Sequence, residues 1–160
     1  MDIKSSKEDK SISFSLIKIQ ELSFSYKEPF SFLKTDTLEE RQIGGKFDVN
    51  YRWNLEKELF AVKLDFSFVY SKDKSQEEEL LKLTFQLEFH IEKMSDVFTV
   101  RAPHDFDINE TLEKTLVGLT ISTGRGILFE KTKGTFFSKF VMPVIDPSDI
   151  ILSKKFKARK

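Results

Sequence analysis

Between Leu81 and Ile91 the chain alternates without a fault. Leu81, Leu83, Phe85, Leu87, Phe89 and Ile91 are apolar, and Lys82, Thr84, Gln86, Glu88 and His90 between them are polar or charged. A period of two suits a strand with one covered face and one wet face, because successive side chains leave a strand on opposite sides. Two earlier stretches repeat the pattern. Val62, Leu64, Phe66, Phe68 and Tyr70 alternate with Lys63, Asp65 and Ser67. Phe47, Val49, Tyr51, Trp53 and Leu55 alternate with Lys46, Asp48, Asn50, Arg52 and Asn54, after Gly44 and Gly45. Glu56, Lys57 and Glu58 form a short polar break, and the charged spacer SKDKSQEEE at 71–79 turns the chain. Three consecutive strands with short connections predict an antiparallel meander whose apolar face needs a cover.

The stretch from Ile12 to Lys27 also alternates, but with two slips of phase. Ile12, Phe14 and Leu16 share one parity, Ile17 and Ile19 the other, and Leu22, Phe24 and Tyr26 return to the first. Such slips predict a long strand bent by one or two bulges. Residues 1–11 have no apolar pattern and read as a disordered tail. Lys27 to Glu40 holds Pro29, Phe30, Phe32 and Leu33 in a polar setting and reads as an irregular crossover whose aromatics must dock on something.

The cover for the sheet comes from Leu112 to Ile151. Lys93 to Phe106, with Pro103, reads as a connection, and Asp107 with Glu110 forms a capping box for a helix starting near Asn109. Leu112, Leu116, Leu119, Thr123 and Ile127 then make an apolar stripe at helical spacing. Gly118, Gly124 and Gly126 each lower helicity by up to about 1 kcal/mol relative to alanine, so packing must hold the helix or use their lack of a side chain for close contact. Gly134 is a left-handed stop. An extended return over Thr135 to Val144, a turn at Asp146 and Pro147, and a short final helix from Ser148 complete an α+β domain over 12–152, with the basic tail 153–160 beyond it.

Composition excludes several functions. The 160 residues suit one domain. Acidic and basic residues balance at 26 each, which argues against steering toward nucleic acid or an anionic membrane. There is no cysteine, no signal-peptide pattern and no apolar run long enough to span a membrane, so a cytoplasmic protein is expected. His90 on a polar strand face and His104 beside Asp105 and Asp107 lack the clustering of a metal site. No nucleophile, base and orienter assemble, so neither an enzyme nor a cofactor is expected. The 17 phenylalanines imply a large aromatic core or exposed apolar surface.

The motifs SFSLIKIQELSFSYKEPF, LFAVKLDFSFVY and KGTFFSKFVMPVIDP, in that order, resemble the SecB protein-export chaperone family and its SecB-like relatives, from about Ile12 to Ile151. The specific part is a helix ending in a basic residue, Gly, Thr and Phe, here Lys133 to Phe136, followed by Met142 and Pro143. The resemblance implies a four-stranded antiparallel sheet with two helices packed on one face, assembled as a homotetramer that is a dimer of dimers. It also implies an ATP-independent holdase that binds unfolded polypeptide clients in aromatic-lined grooves. The matching client-binding positions are Phe30, Phe32 and Leu33 on one side and Ile150, Ile151 and Phe156 on the other. Glu21 matches one acid with which the family docks on the SecA translocase; Ser25 stands where a second acid is expected, and the tail is basic. SecB-like chaperones attached to toxin-antitoxin pairs share the fold, which makes such a pair the other implied partner. A small apolar-ligand carrier is the alternative reading, and a nucleic-acid-binding module acting through the tail is a third.

Overall fold

The computed structural model describes residues 11–28, 42–73, 76–103 and 105–157. Four strands, β1 (Phe14–Tyr26), β2 (Ile43–Asn54), β3 (Leu59–Asp73) and β4 (Gln76–Ile91), form one sheet in the order β1-β4-β3-β2, every neighbour antiparallel. A two-stranded hairpin of β5 (Phe98–Ala102) and β6 (Asp105–Ile108) follows, then α1 (Glu110–Thr132) and α2 (Pro147–Lys157). This is the α+β architecture that the alternating segments and the later helical pattern predict.

The register shows why the alternation works. Val49 lies opposite Leu64 and Leu64 opposite Phe85, while Tyr51, Val62 and Leu87 make the next row. Each row therefore puts apolar side chains on one face, where Val62, Leu64, Phe85, Leu87, Phe89 and Ile91 are buried. Rows on the other face are polar: Thr84 donates to Asp65 at 2.7 Å, and Lys63 pairs with Asp65 at 3.2 Å. A slip of one residue would exchange the two faces, so burial fixes the register.

In β1 the register with β4 shifts twice, between Leu16 and Lys18 and between Glu21 and Ser23. Phe14 and Leu16 face Ile91 and Phe89, Ile19 faces Leu87, and Phe24 and Tyr26 face Leu83 and Leu81. The two bulges thus absorb the two phase slips and keep apolar residues aligned with the covered face of β4. Lys18, Gln20, Ser23 and Ser25 fall opposite Glu88, Gln86, Thr84 and Lys82 on the polar face.

Four expectations need correcting. The spacer at 71–79 is mostly strand. Ser71 lies opposite Glu77 and Tyr70 opposite Glu78, and the ion pairs Lys46–Glu77 and Lys27–Glu78 hold acidic side chains that the core does not need. The connection at 93–106 contains β5 and part of β6; Phe98 is buried against the rings of Trp53, Phe60 and Phe106, and strands this short leave little periodicity to read. Asn109, not Asp107, caps α1, accepting from the Leu112 amide at 3.0 Å, while Asp107 is in β6 and pairs with Arg101. The return from Thr135 begins with a 3-10 turn at Phe136–Lys139, and Thr135 accepts from the Phe137 amide at 3.1 Å.

The buried face of α1 also differs from the expected stripe. Leu112 and Leu116 are buried, but Leu119 is exposed and Thr123 and Ile127 are half-buried; Val117, Ile121, Gly124 and Leu128 take the covered positions. The cause is Gly124, where a Cβ would lie 2.6 Å from the Phe85 ring. Moving the contact line from Thr123 to its neighbour turns the helix by about 100°. Gly134, at φ 75°, ends the helical run as expected. Arg125 then donates to the Pro143 carbonyl at 2.8 Å, tying the extended return to α1, and Asp146 accepts from the Ser148 amide at 2.8 Å at the start of α2. That bond holds the Asp146 carboxyl below the usual range.

Gly124→Ala should destabilise the protein by about 1–3 kcal/mol through overpacking on Phe85. Gly118→Ala, whose Cβ would meet Pro147 at an ordinary 3.5 Å, should instead be neutral or gain up to about 1 kcal/mol. Denaturant unfolding of the two variants tests this; equal effects would mean that Gly124 is not a contact point.

Candidate functional site

The implied client-binding residues fall into three groups. Phe30, Phe32 and Leu33 lie outside the described residues. Ile150 and Ile151 are 8% and 4% exposed and belong to the core of the single chain. They sit on α2, which packs against β2 and α1, and an apolar pair at adjacent positions is drawn into that contact. Phe156 is on the last turn of α2, with its side chain outside the described part. Among the described side chains of α2, the exposed large apolar one is Leu152.

Glu21 lies opposite Phe85, on the face that carries the helices, and pairs with Lys131 of α1 at 2.9 Å. An acid placed to dock a partner on the open face of the sheet would have the other parity; the bulge after Glu21 and the one after Leu16 set its side. Ser25 does face the open side, opposite Lys82. His90, also on the open face, lies 3.5 Å from Glu58. Among the described residues no group of three His, Cys, Asp or Glu side chains is placed to hold a metal ion, and no helix is long and apolar enough to cross a membrane.

One end of the sheet is aromatic. Phe68 stacks on Phe137 with centroids 6.3 Å apart and touches Phe140 at 5.7 Å; Tyr26 meets Phe137 edge-on at 6.0 Å, and Phe136 packs on both Phe137 and Phe140. Lys139 lies over Phe136 at 4.5 Å and over Phe140 at 5.4 Å. Phe137 is buried, while Phe136 and Phe140 are half-buried. Their placement follows from Thr135, which folds the chain into the 3-10 turn immediately after α1. The strand order makes this end distinctive. The segment that carries Phe30, Phe32 and Leu33 leaves β1 at Tyr26 and enters β2 at Ile43, and both residues lie at this end of the sheet.

Apolar side chains that the sequence pattern did not single out are open to solvent. On the extended return Val141 and Val144 are 74% and 91% exposed; on β1 Ile19 is 54% exposed, with Leu16 and Tyr26 also out; on α1 Phe129 is 63% exposed. The signal in the sequence was an excess of apolar β1 residues over what one helix can cover. In the interior, by contrast, Tyr51 donates to Glu113 at 2.9 Å, and Glu113 is 3% exposed. Burial first, then the adjacent Glu113 carboxylate, raises the Tyr51 phenol above its ordinary range. This pair, with Glu113 buried and Tyr51 half-buried, locks β2 to α1.

No family model matches the sequence, and no curated protein matches it. Among solved structures, a SecB-like chaperone of Mycobacterium tuberculosis, in complex with a peptide from an antitoxin, is similar at 10% identity and a TM-score of 0.48, over 82% of this chain and 90% of that one. A protein of unknown function from Streptococcus agalactiae is similar at 11% identity and a TM-score of 0.40, over 84% of this chain and 98% of that one. The fold assignment rests on the strand order and register above.

Because the Tyr51 phenol is raised in the folded chain, its stabilising effect is complete below the unfolded tyrosine pKa of about 10 and is lost as pH climbs beyond it. Tyr51→Phe should cost about 1–3 kcal/mol at pH 7, since Glu113 loses a donor. The gap between wild type and variant should narrow in denaturant titrations run from pH 9 to pH 12; a constant gap would contradict the assignment.

Proposed function

We propose that this protein is a binding protein, not an enzyme: a holdase that keeps unfolded polypeptide from aggregating without nucleotide, and that works as a homo-oligomer. The observation that carries the reading is the aromatic end of the sheet. There Phe136 and Phe140 remain half-buried around a buried Phe137, beside the two points where the segment bearing Phe30, Phe32 and Leu33 leaves and rejoins the sheet. Aromatic and aliphatic surface of this kind accepts extended chains with little demand on sequence, because burial is non-directional. Val141 and Val144 on the neighbouring return add apolar surface.

Magnitudes favour several weak contacts over one tight pocket. Each buried client side chain contributes about 1.5–3 kcal/mol, so firm holding requires subsites repeated on one assembly. Self-assembly also gives the exposed apolar residues of β1 and α1 a place to go. Delivery to the SecA translocase or service to a toxin-antitoxin pair follows the sequence resemblance; Glu21 on the helix-bearing side and the basic tail weigh against SecA docking.

Purified protein should run in solution at a multiple of its 18.7 kDa chain mass and suppress aggregation of a chemically unfolded client in the absence of ATP. A monomer with no effect on light scattering would end the proposal, and an enclosed, co-purifying apolar small molecule would favour a carrier instead. Phe30→Ala combined with Phe32→Ala should weaken client binding several-fold and leave thermal unfolding nearly unchanged. A large drop in melting temperature would assign these rings to the core.

A further inference from the structure

The surface formed by the end of α1 and the return that follows it is apolar and basic at once. From Arg125 to Ile145 the chain carries Arg125, Lys131, Lys133 and Lys139 against the single acid Glu130, in a protein whose formal net charge is zero. Lys131 is matched by Glu21 at 2.9 Å and Lys133 by Glu130 at 2.5 Å. Asp146, just beyond, is set against Lys114. Arg125 and Lys139 are the cations that border the apolar part of this surface.

Both are held by groups that do not cancel a charge. Arg125 donates from Nε to the Met142 carbonyl at 3.4 Å and from a terminal nitrogen to the Pro143 carbonyl at 2.8 Å, and it is in no ion pair among the described residues. Carbonyl oxygens orient a guanidinium but leave its net charge, and its remaining N–H groups can still grip a carboxylate. Lys139 lies over Phe136 and Phe140, where the ring faces attract the ammonium without neutralising it. Along the same return Val141 and Val144 are 74% and 91% exposed, and neither has a backbone partner among the described residues. An extended segment with open backbone groups and bare apolar side chains can receive another extended chain alongside it.

We propose that the segments this surface takes from an unfolded client are acidic: extended stretches whose carboxylates meet Arg125 and Lys139 while their apolar side chains cover Val141, Val144, Phe136 and Phe140. The proposal rests on the holdase reading and adds to it a choice among clients. Burial alone sets little demand on sequence. Two fixed cations set one, because a carboxylate gains beside them and an ammonium loses. Exposed ion pairs are individually weak, so the choice is several-fold and not absolute. Attraction by the whole molecule does not supply it, since the chain is neutral overall.

Three fluorescent peptides test this by anisotropy titration against the full-length protein. They share one apolar pattern of valine and phenylalanine, interspersed with aspartate, asparagine or lysine. At about 0.05 M salt the aspartate peptide should bind about three- to ten-fold more tightly than the asparagine peptide, and the lysine peptide more weakly than either. At about 0.5 M salt, where the Debye length has shrunk from about 14 Å to about 4 Å, the three should converge to within about two-fold. Lys139→Glu should remove most of the aspartate preference and Lys139→Arg should keep it. Arg125→Gln should lower it and Arg125→Lys should keep it; both disturb the carbonyl bonds, so their difference reads the charge. Equal affinities for the three peptides, tighter binding of the lysine peptide, or a preference that every one of these variants leaves intact would overturn the assignment. The wild-type titrations stand even where a variant fails to fold. If wild type suppresses client aggregation yet shows no aspartate preference, the proposal fails and the holdase reading survives. If it selects the aspartate peptide yet leaves aggregation unchanged, the site for acidic segments stands and the holdase reading fails.

Discussion

The contact on which the architecture turns is that of Phe85 with Gly124. Phe85 stands in the row of Glu21, Leu64 and Val49, and the missing side chain at residue 124 lets the α1 backbone settle onto its ring. That one approach sets the rotation of a 23-residue helix. It decides that Val117, Ile121 and Leu128 are interior and that Leu119, Ser122, Gly126 and Phe129 are not. It also brings Lys131 to Glu21 and over the Phe24 ring, fixing the far end of the helix to β1. At the near end Glu113 reaches Tyr51 of β2. The helix is therefore tied to both edge strands and touches the middle ones in between.

The bulges in β1 are the second device. They let a strand with slipped periodicity keep its apolar residues on the side of the helices, and they interrupt an edge that would otherwise offer a long regular ladder to any passing strand. What they leave on that side is more apolar surface than α1 covers. Together with Leu119 and Phe129 of α1 and the exposed valines of the return, this leaves large apolar side chains open to solvent on three elements.

The aromatic end of the sheet, with Phe136, Phe140 and Lys139, is irregular and layered: Phe136 and Phe140 stay half-buried around the buried Phe137, and Lys139 lies over both of the outer rings. Burial at such a surface is non-directional and sets no fixed array of polar groups to be satisfied.

The sequence by itself determined the sheet: the alternation of Phe47 to Trp53, Val62 to Tyr70 and Leu81 to Ile91 admits one apolar face, and the phase slips at Ile17 and Leu22 correspond one for one to the bulges. It also determined the helix stop at Gly134, because only backbone freedom explains a glycine there. Only the tertiary structure decided which side of α1 is covered, because a glycine contributes nothing to an apolar pattern and yet can be the point of closest packing. It likewise moved Ile150 and Ile151 to the interior and Glu21 to the helix side. Burial of α2 depends on β2 and α1, and the parity of Glu21 depends on two bulges read against β4; both are long-range facts that no local spacing contains.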